Sequence, residues 1–429
     1  MKKCVLFLVI IVLLLSVTLI PAATAQTTLR VLTWQNPPMV EWLEEFNEQF
    51  TAETGINVDY SVVNASEVGT VTQTRLSAGD IDVIAFLNSF ANRVQPYMAG
   101  VNPPSWQTII DAGLLLDLTD QAFLENYESV AIQDSSYNDQ VYSVPVGRTI
   151  YGGIYYNKDI FAEFGVEVPT TWDDLVAACE TFTNEGIGCM TAGGSDGWPI
   201  FVGAYGLIGS LFPDQEAYVE GLWTGEIAYN DEENMVMWER MQVYASEMME
   251  RGASGIPGDA APGRFASGAV AMFPGGSWYA SAIEASEPDF EWGFIPFPGS
   301  NDVEDNQTWY GKYDMHWTIA ADSPNTEAAL LYMEAFSEPE TYQSFVNAVG
   351  FIPTQPTATL DTQLGEEIAQ YEDFRVGFEQ YWIAPTGAGQ FALPHASFFA
   401  PFNEFEDPAV LADRAQADLQ SGLDEVNGE

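Results

Sequence analysis

Positive charge is scarce in this chain. Lysine occurs only at positions 2, 3, 158 and 312, and lysine and arginine together number 13 against 62 aspartates and glutamates. Without Lys2 and Lys3 the balance is 11 against 62, a net charge of −51. A surface of that sign repels phosphate backbones and argues against a nucleic acid partner. It suits an exported protein facing high salt or acid, where carboxylates are screened or protonated. Histidine is limited to His316 and His395, so a Ser-His-Asp triad has only two bases to choose from. Cysteine is limited to Cys4, Cys179 and Cys189. The spacing of the last two matches no zinc pattern, and neither a metal nor a cofactor is expected. In an exported chain these two either form a disulfide or remain as buried thiols.

Long apolar runs are also lacking, with one exception. Val5 to Ile20 carries no charge, follows Lys2 and Lys3, and is broken by Pro21 before the small-x-small run Ala23-Thr24-Ala25. Residues 1–25 therefore read as a cleaved signal peptide. The run falls slightly short of the ~20 residues of a membrane span, and an uncleaved anchor is the alternative. Cys4 precedes the run instead of following it, so no lipobox is read.

Enzyme signatures are wanting too. There is no His-Glu-x-x-His and no Gly-x-x-x-x-Gly-Lys loop, and the chain is read as lacking a Gly-x-Ser-x-Gly elbow. A secreted glycosidase needs only two carboxylates about 5–10 Å apart and is the enzymatic alternative. Asp173 and Asp174 are better explained as helix-start residues, and Glu44 and Glu45 as a solvated helix face. No internal repeat or stalk supports a scaffold role.

What is present is 47% hydrophobic residues, enough for real cores in a chain long enough for two domains. Leu29 to Trp34 reads as a strand, followed by a loop with Asn36, Pro37 and Pro38. Val40, Leu43, Phe46 and Phe50 recur at helical spacing, and Gly55 closes that helix. Ile56, Val58, Tyr60 and Val62 alternate as a half-buried strand, a helix covers roughly 66–77, and Asp82 to Phe86 is a buried strand. Alternating strands and helices imply an α/β sheet, parallel-rich and covered on both faces. Ligands in such sheets sit beyond the carboxyl ends of strands, which points to Trp34, Asn36, Asn88 and Ser89. Thr171 to Asp174 has the spacing of a capping box. Ser337-x-x-Glu340 reads as the start of a helix that reaches Gly350.

Four ordered motifs run through the chain: Tyr156-Asn157-Lys158-Asp159 with Val168-Pro169 and Thr171-Trp172-Asp173; Phe265 to Met272 followed by Gly276-Ser277-Trp278; Trp292 to Pro298; and Tyr310 to Phe336. Together they closely resemble the family-1 extracellular solute-binding proteins of ABC importers, the group that includes maltodextrin-binding protein. The resemblance implies a type II periplasmic-binding-protein fold, two-lobed, with discontinuous lobes joined by about three hinge crossovers. The expected division is 26–145 plus 310–355 for lobe 1, and 146–309 plus 356–429 for lobe 2. It implies a monomer without enzymatic activity that captures a solute between its lobes and delivers it to membrane permease subunits. A carbohydrate, of two or more rings, is the expected solute. Flat apolar rings stack on pyranose C–H faces while amides, carboxylates and arginine hold the hydroxyls. By carry-over, Trp278 is the first candidate contact. Trp198, Gly276, Arg148, Tyr310, Tyr313, Asp314 and His395 follow, with Gly276 either admitting the solute to the backbone or serving as a turn glycine. His316 is read as packed. A polyamine or other cation is the alternative solute, which an acidic pair beside stacked aromatics would favour.

Overall fold

The computed structural model describes residues 26–86, 90, 92–371 and 373–428. Residues 1–25, read above as a signal peptide and holding Cys4, and the candidates Asn88 and Ser89 lie outside those residues. The first strand, β1 (Thr28–Trp34), pairs in parallel with β2 (Asn57–Val63) and β3 (Val83–Phe86). Between β1 and β2 runs the helix Pro37–Thr54, closed by Gly55 in the left-handed conformation at φ 76°. Pro37 and Pro38 thus occupy the first turn of the helix and not a loop, because proline has no N–H to lose where no intrahelical partner exists. This shortens the expected binding loop to Gln35 and Asn36. Trp34 ends β1 instead of standing on the loop and is 4% exposed, its ring packed in the core. Correspondingly, the helix after β2 spans Val68–Ala78.

A small hairpin of β4 (Ser136–Tyr137) and β5 (Gln140–Val141) precedes β6 (Val144–Ile150). A second sheet then forms from β7 (Gly153–Asn157), β8 (Gly188–Met190), β9 (Val270–Gly275) and β10 (Trp292–Pro296), in the order β10-β7-β9-β8. Two of its three pairings are antiparallel and only β8–β9 is parallel. Its strands therefore do not follow the repeating strand–helix–parallel-strand plan of the first sheet. The chain returns through β11 (Thr308–Ile319), a 12-residue strand, and ends its sheet pairing with β12 (Asp373–Val376). The first sheet has the order β12-β11-β3-β1-β2, with β6 also paired to β11.

Side-chain alternation sorts the first sheet into two cores. Leu29, Val31, Val83, Ala85 and Trp317 pack on one face with Tyr332 and Phe336, while Leu32, Ile84, Phe90 and Trp106 pack on the other. The second sheet carries its own cores, built from residues of β7, β9 and β10 with the helix Trp198–Leu211 and the C-terminal helix Pro408–Asn427. We call these halves lobe 1 and lobe 2. Two strands run from one to the other. Along β6, Val144 and Val146 pack in lobe 1 and Ile150 in lobe 2; along β11, Trp309 packs in lobe 2 and Met315 and Trp317 in lobe 1. The pairing Lys312↔Thr149, Tyr313↔Arg148 and Asp314↔Gly147 lies between those halves.

Local signals behave as physics requires, with one shift. Thr171 accepts from the N–H of Asp174, whose carboxylate accepts from the Thr171 N–H, completing the capping box of the helix Trp172–Asn184. Cys179 on that helix is disulfide-bonded to Cys189 on β8. Ser337, however, ends the helix Thr326–Ser337, and the next begins at Pro339, whose ring suits a first turn. The Ser337 hydroxyl instead accepts from Tyr127.

Candidate functional site

Trp278 leaves β9 through Gly275 and Gly276 and is partly exposed on lobe 2. A Cβ on Gly276 would fall 2.1–2.4 Å from the Trp278 ring itself. The glycine thus has a role beyond the two that the sequence offered: it leaves room for the indole to fold back over the main chain. The Gly276 carbonyl also accepts from the Tyr155 hydroxyl, which fixes the turn to β7. Trp198, at the start of the helix Trp198–Leu211, is 38% exposed, the most exposed of the large aromatic residues described. Its ring lies 6.4 Å from Trp278 at 41° and 6.4 Å from Tyr279 at 8°. These rings form an aromatic platform on lobe 2. Asp196 and Asp259 lie near enough for their charges to add to burial in raising the Tyr279 hydroxyl.

Asp196 belongs to the run Gly193-Gly194-Ser195-Asp196-Gly197, which does have the Gly-x-Ser-x-Gly spacing that the sequence was read as lacking. It is not a nucleophile elbow. Ser195 sits in an exposed 3-10 turn and donates to Asp196 Oδ1 at 3.2 Å, not to an imidazole. His395 stacks on Phe201 at 4.2 Å and on Phe398 at 5.0 Å, and burial pushes its imidazole down to about 4. It is a packed residue of lobe 2 whose Nε2 has no partner.

On the crossing strands, Arg148 is occupied. Its Nη2 donates to the Pro353 carbonyl at 3.0 Å, Nη1 is 3.8 Å from Glu128 Oε1, and its guanidinium lies over Phe374. Only its Nε is unpaired. Tyr310 is buried against Gly209 of lobe 2, where a Cβ would meet its ring at 2.4 Å. Asp314 is buried with Lys312 at 3.5 Å, accepts from Thr149 Oγ1 at 3.2 Å and from the Met315 N–H, and burial raises its carboxyl. Met315 is held at φ 53°, in the left-handed region that a non-glycine residue seldom adopts. Tyr313 is pushed up to about 12 by burial, with Arg148 opposing and Glu128 and Asp134 adding.

Asp134 and His316 are the groups that sequence reasoning missed or undervalued. His316 is fully buried on β11, stacked on Phe90 at 5.2 Å. Its Nδ1 lies 3.0 Å from Ser143 Oγ and 3.3 Å from Ser135 Oγ, and its Nε2 faces Asp134 Oδ2 at 3.5 Å. Burial drives its imidazole down to about 3, with the Lys312 charge adding. The same burial pushes Asp134 up to about 7, against the Arg93 charge. Asp134 Oδ2 and Glu128 Oε1 accept no hydrogen bond, although His316 Nε2 stands 3.5 Å from the first and Arg148 Nη1 3.8 Å from the second. On lobe 2 the wholly buried Tyr151 and Tyr205 hydroxyls lie beside Glu379. Nothing in the sequence singles out Asp134 among so many acids.

A profile of bacterial extracellular solute-binding proteins matches residues 36–343. The chain belongs to that family. Among curated relatives, it is 26% identical over 325 residues to the multiple sugar-binding protein of Streptococcus mutans, covering 74% of this chain and 72% of that one. It is 22% identical over 334 residues to the xylose/arabinose-binding protein XacG of Haloferax volcanii, covering 72% and 66%. Among solved structures, RafE with raffinose bound aligns with a TM-score of 0.75 at 22% identity, over 94% of this chain and 100% of that one. The ligand-free form of RafE from Streptococcus pneumoniae aligns at 0.70 with 23% identity, over 94% and 98%. These likenesses establish the two-lobed fold. This solute-binding protein belongs to a family of receptors, not enzymes.

Proposed function

We propose that this solute-binding protein captures a carbohydrate of two or more rings between its lobes and hands it to the permease of an ABC importer. The observation that carries the reading is the platform of Trp198, Trp278 and Tyr279 on lobe 2, together with the Asp134 and Glu128 carboxylates on lobe 1. Trp198 and Trp278 meet at 41°, which suits two successive sugar rings better than a sandwich around one. Asp134 and Glu128 each bring a carboxylate oxygen without a hydrogen-bond partner, which the hydroxyls of a polyol would satisfy. Asn36, Asn88 and Ser89 are proposed contacts of lobe 1; Trp34, Tyr310, Asp314 and His395 are not, because each is buried or engaged within the protein. Arg148 acts through Glu128. The names of the relatives in Streptococcus mutans and Haloferax volcanii, and the raffinose bound to RafE, support a sugar.

The crossings through β6 and β11 and a third near residue 356 serve as the hinge, with the division between lobes close to 145 and 309. Closure then brings contacts from both sides to one solute, which is what gives the closed state its preference for ligand. Residues 1–25 direct export, and the closed protein works as a monomer. A cationic solute is the second reading, favoured by Asp196 and Asp259 beside Tyr279. Thermal unfolding of the protein from Gln26 onward decides between them, with raffinose, sucrose, xylose, arabinose, spermidine and putrescine. A ligand at 100 times its Kd raises stability by about 2.7 kcal/mol. A shift with sugars alone upholds the carbohydrate reading, and one with amines alone, fading with salt, replaces it.

A further inference from the structure

The segment between β3 and the helix Ser105–Asp111 begins and ends in lobe 1. At its start Arg93 donates through Nη2 to the carbonyls of Gln133, Asp134 and Ser136, and through Nε to that of Phe90. At its end Trp106 stacks on Phe90 at 4.8 Å and donates to Asn92 Oδ1 at 2.8 Å. Between these anchors the chain leaves its own lobe. Met98, 1% exposed, is buried in the core cluster of lobe 2, with Tyr97 and Val101 packed beside it. The Gly100 carbonyl accepts from Thr386 Oγ1 at 3.1 Å, and Glu216 and Glu220 of lobe 2 add to burial in raising Tyr97 to about 12. A Cβ on Gly100 would stand 3.3 Å from Val426 Cβ on the C-terminal helix.

We propose that residues 95–101 form an interlobe clasp, a lobe-1 loop whose Met98 seats in lobe 2 when the lobes close and withdraws when they open. Three observations lead there. The loop is pinned at both ends to one body and buried at its middle in the other, so any hinge motion must either break this contact or bend the loop. Met98, its most deeply inserted residue, is a flexible, unbranched side chain that enters and leaves an apolar recess readily, while the Tyr97 hydroxyl beside it is buried without a partner and would regain one from water on opening. Among the described residues, the contacts of Tyr97, Met98 and Gly100 involve neither the aromatic platform nor the carboxylates of Asp134 and Glu128, and only the anchor Arg93 reaches the Asp134 main chain, so the clasp stabilises closure from beside the solute site. Affinity then depends on residues that never touch solute.

The test uses a Gly100→Cys/Val426→Cys variant and small-angle scattering without any sugar. A Cβ at position 100 would stand close to the range of about 3.5–4.5 Å from the Val426 Cβ that a disulfide spans. Because Gly100 sits at φ 74°, where cysteine is strained, the reduced form of the same variant is the reference. A smaller radius of gyration after oxidation than before it upholds the clasp; equal radii overturn it, since the loop would then stay docked in the open protein. The second arm is Met98→Ala, whose raffinose dissociation should accelerate about tenfold with association unchanged. An unchanged dissociation rate in a folded Met98→Ala protein that binds raffinose also overturns it. The scattering arm needs no ligand, so failure of the carbohydrate reading leaves it decisive.

Discussion

On lobe 2 the candidate contact groups are rings: Trp198, Trp278 and Tyr279 lie within 6.4 Å of one another, with Trp278 packed against both cores of that lobe. On lobe 1 they are carboxylates, Asp134 and Glu128, each with an oxygen that accepts no hydrogen bond, although His316 faces the first and Arg148 the second. Rings bind through area and are indifferent to protonation, whereas carboxylates bind through hydrogen bonds, and the buried Asp134 carries a charge that burial makes dependent on pH near neutrality. One wall should therefore set how tightly a solute is held and the other should set under what conditions.

The broadest test of that contrast compares two tryptophans. Trp317 is wholly buried in lobe 1, edge-on to Tyr332 at 5.9 Å and Phe336 at 5.8 Å. Trp317→Ala should cost about 3–5 kcal/mol in denaturant unfolding, while the folded fraction keeps its Kd. Trp278→Ala should do the reverse, with a small change in stability and about 2 kcal/mol lost from binding, roughly 30-fold in Kd by calorimetry. Equal losses of stability in the two variants would erase the distinction between core and platform.

Trp34 shows why this distinction was only half legible in the sequence. Trp34 ends a strand and Trp278 follows one, and position relative to a strand is visible in the alternation of residues. Which way a ring turns at the strand end is not. Trp34 turns inward because the helix starts at once with Pro37, and Trp278 stays outside because Gly276 lets it fold back over the main chain. The helix caps at Gly55 and Thr171, the covered α/β sheet of lobe 1 and the family were all readable from local patterns. The antiparallel pairings of lobe 2 were not, since they depend on contacts between distant segments. Asp134 was invisible for a different reason: its character comes wholly from burial beside His316, a partner 182 positions away in the chain.

The lobe-1 wall is tested through its protons. Asp134, raised to about 7 in the folded protein, binds a proton there that the unfolded chain releases near its ordinary value. Its contribution to stability is full below pH 4 and is lost as pH rises toward 7. His316, lowered to about 3, has the opposite sign: the unfolded chain gains a proton below about 6.5 that the folded protein refuses, so stability is lost as pH falls. Between pH 4 and 6.5 the two slopes oppose. Relative to the native protein, Asp134→Asn should therefore gain stability with rising pH, and His316→Gln should lose it. Unfolding free energies from pH 4 to 7 check both; parallel profiles in all three proteins would mean that the pair does not titrate across this window.

The smallest effect marks the ground outside both walls. The helix Trp172–Asn184 begins with reciprocal bonds between Thr171 and Asp174, and a hydrogen bond from the Trp172 N–H to the Ser300 carbonyl ties it to the neighbouring loop. Thr171→Ala removes the hydroxyl that accepts from the Asp174 N–H and leaves the carboxylate bond to the Thr171 N–H in place. Half of the box survives, so the cost in unfolding should be about 1 kcal/mol. Solute affinity should not change, because the cap contacts neither the aromatic platform nor the unpaired acceptors. If affinity fell along with stability, the walls would not be independent of the scaffold beneath them. The division into a gripping lobe and a sensing lobe would then have to be replaced by one in which lobe 2 binds through its overall rigidity.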